Sequence, residues 1–500
     1  MVVAAILAAP AYAHVGSPDV YAEGQAGPYK LSIVVRPPLV IPGVADIEVR
    51  AQTPGIDRVG IDRITVTPVP LTGDAAKHPP VPDAMERRSA DASFFTAHLW
   101  IMASGSWQIR FAVTGNQGAG VLSIPFPATA MSTRKMQTGM GAMLAALGTL
   151  LVVGMIGIVG AATREARLRP GEAVPPAGRR RAYIAMSVTF AVLVAAAVLG
   201  NAWWKSEATN YSEYIYKPLL MQPTLRAGNL LDLQLRDPGW LSIRKLYDFI
   251  PDHDHLMHLY MIRWPQMDVV YHLHPEPVST GDFQLPLPST PAGDYRLYAD
   301  VVHAGGFPET IVGTVTLPSI RGRPLQGDDA EGTDSPVTTG AGATNESSGQ
   351  RFKLPDGYTM MWKKPSRLAP REPEDFAFQL LDPHGNPPAD MALYMGMLGH
   401  AAFVKTDGAV FAHIHPAGTV AMAAFMMANP QAHTGAGAHE TMNMPGMDMK
   451  NGMLPNTVGF PYGFPSSGQY RIFVQMKHGN TVETGAFDAV VSGTPVSVGP

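Results

Sequence analysis

Short runs in which apolar and polar residues alternate recur through most of the chain, and turns rich in Pro and Gly separate them. Residues 14–130 contain runs such as YKLSIVV and RITVTPV, and the same texture returns in 206–320 and in 352–495. Alternation over about four to eight residues is typical of half-buried β-strands. The pattern therefore predicts a mainly β protein with three sandwich domains.

Two stretches, 136–163 and 182–204, break this texture because they contain no charged residue. Each is long enough to cross a bilayer of about 30 Å as a helix. The segment between them, 164–181, is rich in Arg, and the second stretch ends in Trp203 and Trp204. Basic loops stay in the cytoplasm, and Trp favours the membrane interface. We therefore expect a transmembrane hairpin with a cytoplasmic Arg-rich loop and all β domains on the periplasmic or extracellular side of a bacterial cytoplasmic membrane.

The start of the chain and one internal segment are predicted to lie outside the folded domains. The start, 1–13, is apolar and ends in Ala11-Tyr12-Ala13, which has the small-x-small form of a signal peptidase site. The segment 321–351 is polar and rich in Gly, Ser and Thr, as flexible linkers are. We expect an exported chain in which this linker separates the last two domains.

Composition narrows the classes of function. The chain of 500 residues has a formal net charge of −4, which provides no basic surface for nucleic acid, so we exclude that class of partner. It has no Cys, which excludes disulfides, iron–sulfur clusters and zinc–thiolate sites. It does contain 27 Met and 16 His. A metal site here must therefore use His, Met or carboxylate ligands.

The last two domains look like copies of one another. LQLRDPG at 233–239 matches FQLLDPHG at 378–385, and GDYRLYADVVH at 293–303 matches GQYRIFVQMKH at 468–478. Between these matches, each copy has a run that starts with His, a hairpin turn and an HxHP motif. Matches in the same order indicate a duplicated domain, with an insertion after the second HxHP.

Four His positions recur in the two copies. They are His258, His272, His274 and His303 in the first copy and His400, His413, His415 and His478 in the second. Each HxH presents two imidazoles on one face of a strand, because residues i and i+2 point the same way. We expect His258 opposite His272 and His400 opposite His413 near one end of each sandwich, with the fourth ring brought in by the strand after GxYR. Imidazoles at matching places in two copies favour a metal site over isolated structural His.

The Tyr of each GxYR motif is interpreted differently. Tyr295 and Tyr470 each follow a turn Gly by two residues, as in the tyrosine corner of Ig-like sandwiches. We expect both to have a structural role, in which the hydroxyl group binds the backbone.

The insertion of the second copy contains a Met-rich run. Its predicted metal ligands are Met442, Met444, Met447, Met449 and Met453. They lie among Gly, Pro and Asn and lack the spacing of a helical core face. Thioethers select Cu(I), whereas imidazoles suit Cu(II), Zn and Ni. Copper is therefore the expected cofactor, as Cu(II) on the His clusters and Cu(I) on the Met run, with another divalent metal as the alternative.

The HLHP and HIHP motifs, each followed by Gly-x-Tyr-Arg, and the run MNMPGMDM resemble the YtkA-like and related extracytoplasmic proteins of bacterial copper and heavy-metal handling. The resemblance covers 230–320 and 375–490, and SGSWQIRFAVTG in the first domain is similar to the same group. It implies Ig-like β-sandwiches. The expected fold is therefore three Ig-like sandwich domains plus the two-helix hairpin.

The leading functional hypothesis is a membrane-anchored copper-binding protein that buffers copper, delivers it or confers resistance. Its expected partners are the membrane and a copper transporter, an oxidase or another membrane protein. One alternative is a metal-free scaffold that displays sandwich domains to a partner. Another is an enzyme that uses a His-bound metal, although the sequence has no acid–base carboxylate pair, nucleophile motif or nucleotide loop to support catalysis.

Overall fold

A computed structural model of the chain describes residues 18–52, 60–133, 136–165, 167–169, 171–241, 244–337, 350–430 and 453–493. The predicted signal segment 1–13 lies outside these residues. The chain forms two compact units. Ala130–Tyr216 make up one unit, and the rest of the chain makes up the other.

The N-terminal domain consists of two antiparallel sheets. Its strands are β1 (Val20–Ala26), β2 (Tyr29–Arg36), β3 (Gly43–Gln52), β4 (Ile61–Pro70), β5 (Asp83–Ala84), β6 (Glu86–Arg87), β7 (Phe94–Ile101), β8 (Gly105–Gly115) and β9 (Gly118–Ala128). One sheet has the order β1-β2-β3-β7-β6 and the other β5-β4-β8-β9. Alternate residues such as Leu31, Ile33 and Val35 are buried, as the sequence pattern predicts.

The second unit contains two helices, α1 (Thr138–Glu165) and α2 (Pro176–Glu213), and both are long and apolar enough to cross a membrane. The Tyr216 amide donates to the Ala130 carbonyl (2.8 Å), so the two ends of the unit meet as in a hairpin. The connection is shorter than the predicted loop 164–181, because α1 extends through Arg164 and α2 includes Arg179–Arg181. The helix α2 also continues beyond the predicted end at 204.

The middle domain begins later than the predicted 206, because α2 runs to Glu213. Its strands are β10 (Leu220–Arg226), β11 (Leu230–Arg236), β12 (Phe249–Ile250), β13 (His258–Trp264), β14 (Val269–Leu273), β15 (Glu276–Ser279), β16 (Asp282–Pro286), β17 (Gly293–His303), β18 (Pro308–Leu317) and β19 (Ala330–Thr333). One sheet has the order β10-β11-β16-β15, and the other β12-β17-β13-β14-β19, with β18 paired to β17.

The C-terminal domain has a comparable plan. Its elements are β20 (Gln350–Lys353), β21 (Thr359–Trp362), β22 (Glu374–Leu381), β23 (Met391–Ala392), β24 (His400–Lys405), β25 (Phe411–Ile414), α3 (Met422–Ala428), β26 (Thr457–Tyr462), β27 (Gly468–His478) and β28 (Thr481–Val491). One sheet is β20-β21-β22-β26 and the other β23-β27-β24-β25, with β28 paired to β27. The order β23-β27-β24-β25 repeats β12-β17-β13-β14 of the middle domain, as duplication predicts.

The predicted flexible linker 321–351 is partly ordered, which corrects the expectation from composition. Within it, β19 pairs antiparallel with β14, and Ala330 lies opposite His272. Ala330 is buried. Pairing of this segment satisfies the backbone groups at the edge of β14, which a polar composition does not reveal. Residues 338–349 lie outside the described part of the chain.

The predicted structural role of the two Tyr is confirmed. The Tyr295 hydroxyl donates to the Pro291 carbonyl and the Tyr470 hydroxyl to the Ser466 carbonyl, each over 2.8 Å. Both bonds reach four residues back along the chain and fix the entry to the long central strands β17 and β27. These strands pair with the His-bearing strands β13 and β24.

The middle and C-terminal domains pack through their His-bearing sheets. In the middle domain, Leu259 and Met261 of β13 face the core of their own domain. Tyr260 and Ile262 lie on the opposite face, in an apolar cluster shared with the C-terminal domain. The ring of Tyr298 stacks on Phe411 with 4.3 Å between centroids. These strands are therefore buried on both faces.

The N-terminal domain contacts the loop that follows β25. The Glu23 amide donates to the Ala417 carbonyl (2.9 Å), and the Thr419 amide donates to the Tyr21 carbonyl (2.8 Å). Gly418 lies between them with φ 115°, and a Cβ atom there would lie 2.0 Å from the Tyr21 carbonyl oxygen. Only glycine fits this close approach. The contact fixes the loop directly after His415.

Candidate metal centre

The two HxH motifs lie on β14 and β25, at the sheet faces by which the two domains pack. Along β25, Ala412 and Ile414 join the core of the C-terminal domain. Phe411 belongs to the apolar cluster between the domains, and His413 shares its side of the strand by alternation. The clusters therefore lie between the two sandwiches. The sequence predicted a cluster near one end of each sandwich and did not predict that the two clusters face each other.

The hairpin register differs from the prediction by two residues. Tyr260 lies opposite His272, and Ala402 lies opposite His413, so neither His258 nor His400 lies directly opposite the expected partner. The turns are longer than a minimal hairpin requires: Val404 pairs with Phe411, whereas a hairpin with His400 opposite His413 would pair it with Ala409. A shift of two residues keeps every side chain on its face. The predicted convergence of the first three rings of each copy is therefore retained.

Because the two His-bearing faces meet, the rings of both copies form one cluster, which we call the His cluster. Its members are His253, His255, His258, His272, His274, His400, His413 and His415. Between the domains, the ring centroids of His413 lie 5.6 Å from His258 and 5.5 Å from His272. The two predicted clusters are therefore one site.

Two groups of three ring nitrogens stand out within the His cluster. The first group is His258, His272 and His274, all from the middle domain. The second is His253 from the middle domain with His400 and His415 from the C-terminal domain. In each group the three nitrogens lie within 4.8 Å of one another.

Oxygen acceptors around the rim hold most rings by one nitrogen. The Nδ1 atom of His272 lies 2.9 Å from Gln475 Oε1, and that of His274 lies 3.0 Å from Asp329 Oδ1. The Nδ1 atom of His413 lies 3.2 Å from Asp300 Oδ2, and that of His415 lies 3.3 Å from the Val420 carbonyl. An acceptor on one nitrogen sets the tautomer and leaves the other nitrogen free as a lone-pair donor, which is the usual arrangement of metal-binding His.

Most inward nitrogens have no partner of their own; an exception is the pair His258 Nδ1 and His272 Nε2, which lie 3.2 Å apart. Among the described residues, the buried atoms without a hydrogen-bond partner include both ring nitrogens of His400 and the Nε2 atoms of His253, His274, His413 and His415. An unpaired buried polar group costs on the order of 1–3 kcal/mol. Together these nitrogens could hold a ligand that accepts lone pairs.

Burial keeps these rings neutral. Loss of hydration lowers the pKa of His253, His258 and His415 from 6.5 to about 4. The same cause, with repulsion from neighbouring rings, holds the pKa of His272 and His400 well below the usual value. Neutral imidazole is the form that binds metal, so no proton has to leave these rings at neutral pH before binding.

The sequence reasoning missed His253 and His255. They lie in the loop before β13, where the Asp252 amide and the His255 carbonyl pair across a tight turn. The sequence does contain a pattern that points to them, because together with His258 they place three His within six residues. These two His do not recur in the second copy, because the matching loop of the C-terminal domain has Met395 and Met397 at these places.

The fourth recurring His of each copy lies outside the His cluster, which corrects the prediction. His303 Nδ1 lies 2.6 Å from Asp248 Oδ1, and its Nε2 lies 3.3 Å from Glu309 Oε2. Both His303 and His478 end long strands, β17 and β27, beyond the rows that face the other domain. Because these strands continue past the rows that face the other domain, the two rings lie away from the converging rings.

His478 lies in a separate group of carboxylates. Its Nε2 is 3.3 Å from Glu483 Oε1 and 3.7 Å from Asp356 Oδ2, and its Nδ1 is 3.4 Å from Asp390 Oδ2. Tyr358 stacks on the ring with 4.0 Å between centroids. Asp356, His478 and Glu483 have the spacing of a three-ligand group, with oxygen as the main donor.

The Met-rich run is outside the described part of the chain, apart from Met453, whose side chain is exposed. The role of the other four Met as metal ligands therefore stays a prediction from the sequence: Met442, Met444, Met447 and Met449.

Comparison with known proteins gives one match to a family. The model of a domain of unknown function, DUF8832, matches residues 353–493, which is the C-terminal domain with its three members of the His cluster. This is less than half of the chain. No curated protein matches the sequence.

The similar solved structures differ in kind. A tetra-tandem repeat from the extending region of a large adhesion protein has a TM-score of 0.15 at 8% identity, covering 90% of this chain and 71% of that one. Salmonella alpha-2-macroglobulin reacted with methylamine has a TM-score of 0.22 at 8% identity, covering 96% of this chain and 24% of its own. A putative membrane anchored protein from Corynebacterium diphtheriae has a TM-score of 0.15 at 9% identity, covering 97% and 98%. The chain thus spans about a quarter of the macroglobulin, and TM-scores this low carry no argument about fold or function.

Proposed function

We propose that this protein is a membrane-anchored, extracytoplasmic copper-binding protein that holds copper in the His cluster for buffering, delivery or resistance. The observation that carries the proposal is the set of buried ring nitrogens that face one another without partners while oxygen acceptors hold the opposite nitrogens. Each unpaired buried group opposes folding, so a ligand that accepts these lone pairs would stabilise the folded chain.

The donor set favours copper among the common metals. The inward ligands are all imidazoles, which suit Cu(II), Zn and Ni, whereas Mg and Ca prefer oxygen. Of the divalent first-row ions, Cu(II) binds a given nitrogen site most tightly. The Met-rich run adds soft thioethers within the sequence of the C-terminal domain, and these select Cu(I). Both oxidation states thus have suitable ligands in one chain.

The membrane part of the proposal rests on the two apolar helices. The Arg residues between them favour a cytoplasmic connection, and exposed Trp203 and Trp204 favour the opposite interface. All three β domains then lie outside the cytoplasm, where a copper transporter or an oxidase in the same membrane is a suitable partner. We further propose that the domains are Ig-like, which the paired antiparallel sheets and the hydrogen bonds of Tyr295 and Tyr470 support.

The test is metal binding by the full-length chain, purified in detergent and stripped of metal with a chelator. We expect Cu(II) to bind with nitrogen hyperfine structure in the electron paramagnetic resonance spectrum, and more tightly than Zn(II) or Ni(II). The substitution His272→Asn should weaken Cu(II) binding by at least about tenfold, since even outer-shell changes cost about 10–100-fold.

The matched control is His384→Asn, which removes an exposed imidazole of the C-terminal domain. It should leave the affinity unchanged. Failure of the wild-type chain to bind Cu(II), or equal losses in the two variants, would contradict the proposal and favour a metal-free scaffold.

A further inference from the structure

The His cluster has two sets of converging nitrogens and not one, and the two sets differ in origin. The middle domain supplies all of His258, His272 and His274. The other set takes His253 from the middle domain and His400 and His415 from the C-terminal domain. We propose that the cluster is a two-metal centre, and that the ion held by His253, His400 and His415 fastens the middle and C-terminal domains together. This inference rests on the proposed function.

The geometry of the second set suits an ion of its own. Two nitrogens bound to one ion at about 2.1 Å lie at most about 4.2 Å apart. Three nitrogens around one ion cannot all be that far apart, and at tetrahedral angles each pair lies about 3.4 Å apart. The three nitrogens of the set lie within 4.8 Å of one another, so loading brings each pair closer by no more than about 1.4 Å. His400 and His415 are nearly fully buried, and their Nε2 atoms lack partners. These are side chains already in place for a ligand.

His413 lies between the two sets. Its ring centroid is 5.5 Å from His272 of the first set, and 5.5 Å from His400 and 4.6 Å from His415 of the second. Asp300 holds its Nδ1, and its Nε2 is buried and unpaired. A fourth nitrogen is thus available beside both positions, and the two ions would lie close enough for their unpaired electrons to interact.

Only one of the two sets crosses the domain boundary, and the loops before β13 and β24 explain why. His253 has φ 49° in a tight turn, and Met395 occupies the same place in the C-terminal loop with φ 48°. The two loops thus share one backbone conformation. The middle-domain loop extends an imidazole to His400 and His415, with ring centroids 5.1 Å and 5.0 Å away. The C-terminal loop extends Tyr394 instead, whose hydroxyl lies 3.4 Å from His272 Nδ1.

Among the described residues, the other contacts between the domains include apolar packing, hydrogen bonds and the ion pair of Arg471 with Asp334. The Arg471 guanidinium donates to the carbonyls of Met267 (3.0 Å) and Ser335 (2.8 Å), and His272 contacts Gln475. Coordinate bonds from one ion to both domains would add a link that depends on metal. Loading the second position should therefore stabilise both domains together.

The experiment uses the full-length, metal-free chain in detergent with Cu(II) as the probe. Bound copper is measured per chain, coupling between copper spins is measured by electron paramagnetic resonance, and amide hydrogen exchange is followed in β13, β14, β24 and β25. We expect two ions, coupled spins, and slower exchange in the strands of both domains when the second equivalent is added.

His253→Asn should bind one ion, lose spin coupling and lose the added protection of β24 and β25 while keeping that of β13 and β14. Asn tolerates the positive φ of His253, so this change keeps the backbone of the turn, and His415→Asn provides a second variant with the same expected result. His384→Asn should behave as wild type. A wild-type chain that binds one ion, or a His253→Asn chain that keeps two, overturns the two-metal centre but leaves the proposed function. A chain that binds no copper overturns both.

Discussion

Histidine lies in two contrasting settings within the last two domains. In the His cluster, the rings mainly face one another, and burial lowers the pKa of several of them. At the ends of β17 and β27, His303 and His478 each lie among carboxylates instead. All but His253 and His255 recur in both copies. Recurrence of a His therefore indicates that the two domains share a backbone fold at that position. The neighbouring side chains in the tertiary structure decide the charge and the hydrogen bonds of each ring.

The two strand-end groups also differ from each other. In the middle domain, the buried Arg244 guanidinium donates to Glu309 Oε1 (2.7 Å) and to Asp237 Oδ1 (3.1 Å). In the C-terminal domain, no Arg or Lys among the described residues forms an ion pair with Glu483. The pKa of Glu483 rises to about 7, because it is buried and lies near Asp356. One copy places an internal cation beside its buried glutamate, and in the other copy burial raises the pKa of the glutamate instead.

The largest expected effect tests the neutrality of the His cluster. Unfolded imidazole titrates near 6.5, whereas His253, His258 and His415 titrate near 4 in the folded chain. Between these values the unfolded state binds more protons, so the free energy of unfolding of the metal-free chain should fall as pH drops from about 6.5 to about 4. Each ring contributes roughly 3 kcal/mol over this window, and above it the rings add no pH dependence.

Denaturant titrations of the metal-free chain at several pH values would measure this slope. His258→Asn should make the slope shallower, because it removes a ring whose pKa is lowered by burial. A stability that does not vary across the window would mean that the cluster is already protonated or well hydrated.

The second prediction concerns the carboxylates around Arg244 in the middle domain. Arg244→Met removes the cation beside the buried Glu309 and should lower the free energy of unfolding by about 3–5 kcal/mol. Thermal or denaturant unfolding measures it. The matched control is Arg226→Met, whose exposed guanidinium pairs with Asp232; exposed pairs contribute about 0–1 kcal/mol. Equal effects of the two changes would show that Arg244 does not compensate buried charge.

The smallest effect compares the two glutamates directly. The folded pKa of Glu483 exceeds the unfolded value of 4.5, so its contribution to stability is present below pH 4.5 and is lost as pH rises towards 7. Glu483→Gln should therefore raise the free energy of unfolding at pH 8 by about 1–3 kcal/mol and leave it unchanged at pH 4. Glu309→Gln should lower it at pH 8, because Arg244 loses its anion. If both changes had the same sign, the contrast between the two groups would be wrong.

The sequence by itself determined the local elements. Period-two alternation predicted the strands, uncharged length predicted the two helices, and matching motifs predicted two domains with the same strand order. It also placed three His of each copy on one face of a sheet, since a register error of two residues leaves each side chain on the same face. The hairpin register itself depends on turn geometry, and the turns before Val269 and Phe411 are longer than the shortest closure.

Only the tertiary structure decided that the two His faces meet. The strands β13 and β24 are buried on both sides, and a run such as HLYMI does not reveal which side faces a core and which faces another domain. Tertiary packing also brought the loop of His253 to His400 and His415, over a separation in sequence that no spacing rule spans. A metal site requires imidazoles that are close together in space. Packing between two separately folded sheets sets the distances between these rings, and local propensity along either strand carries no information about those distances.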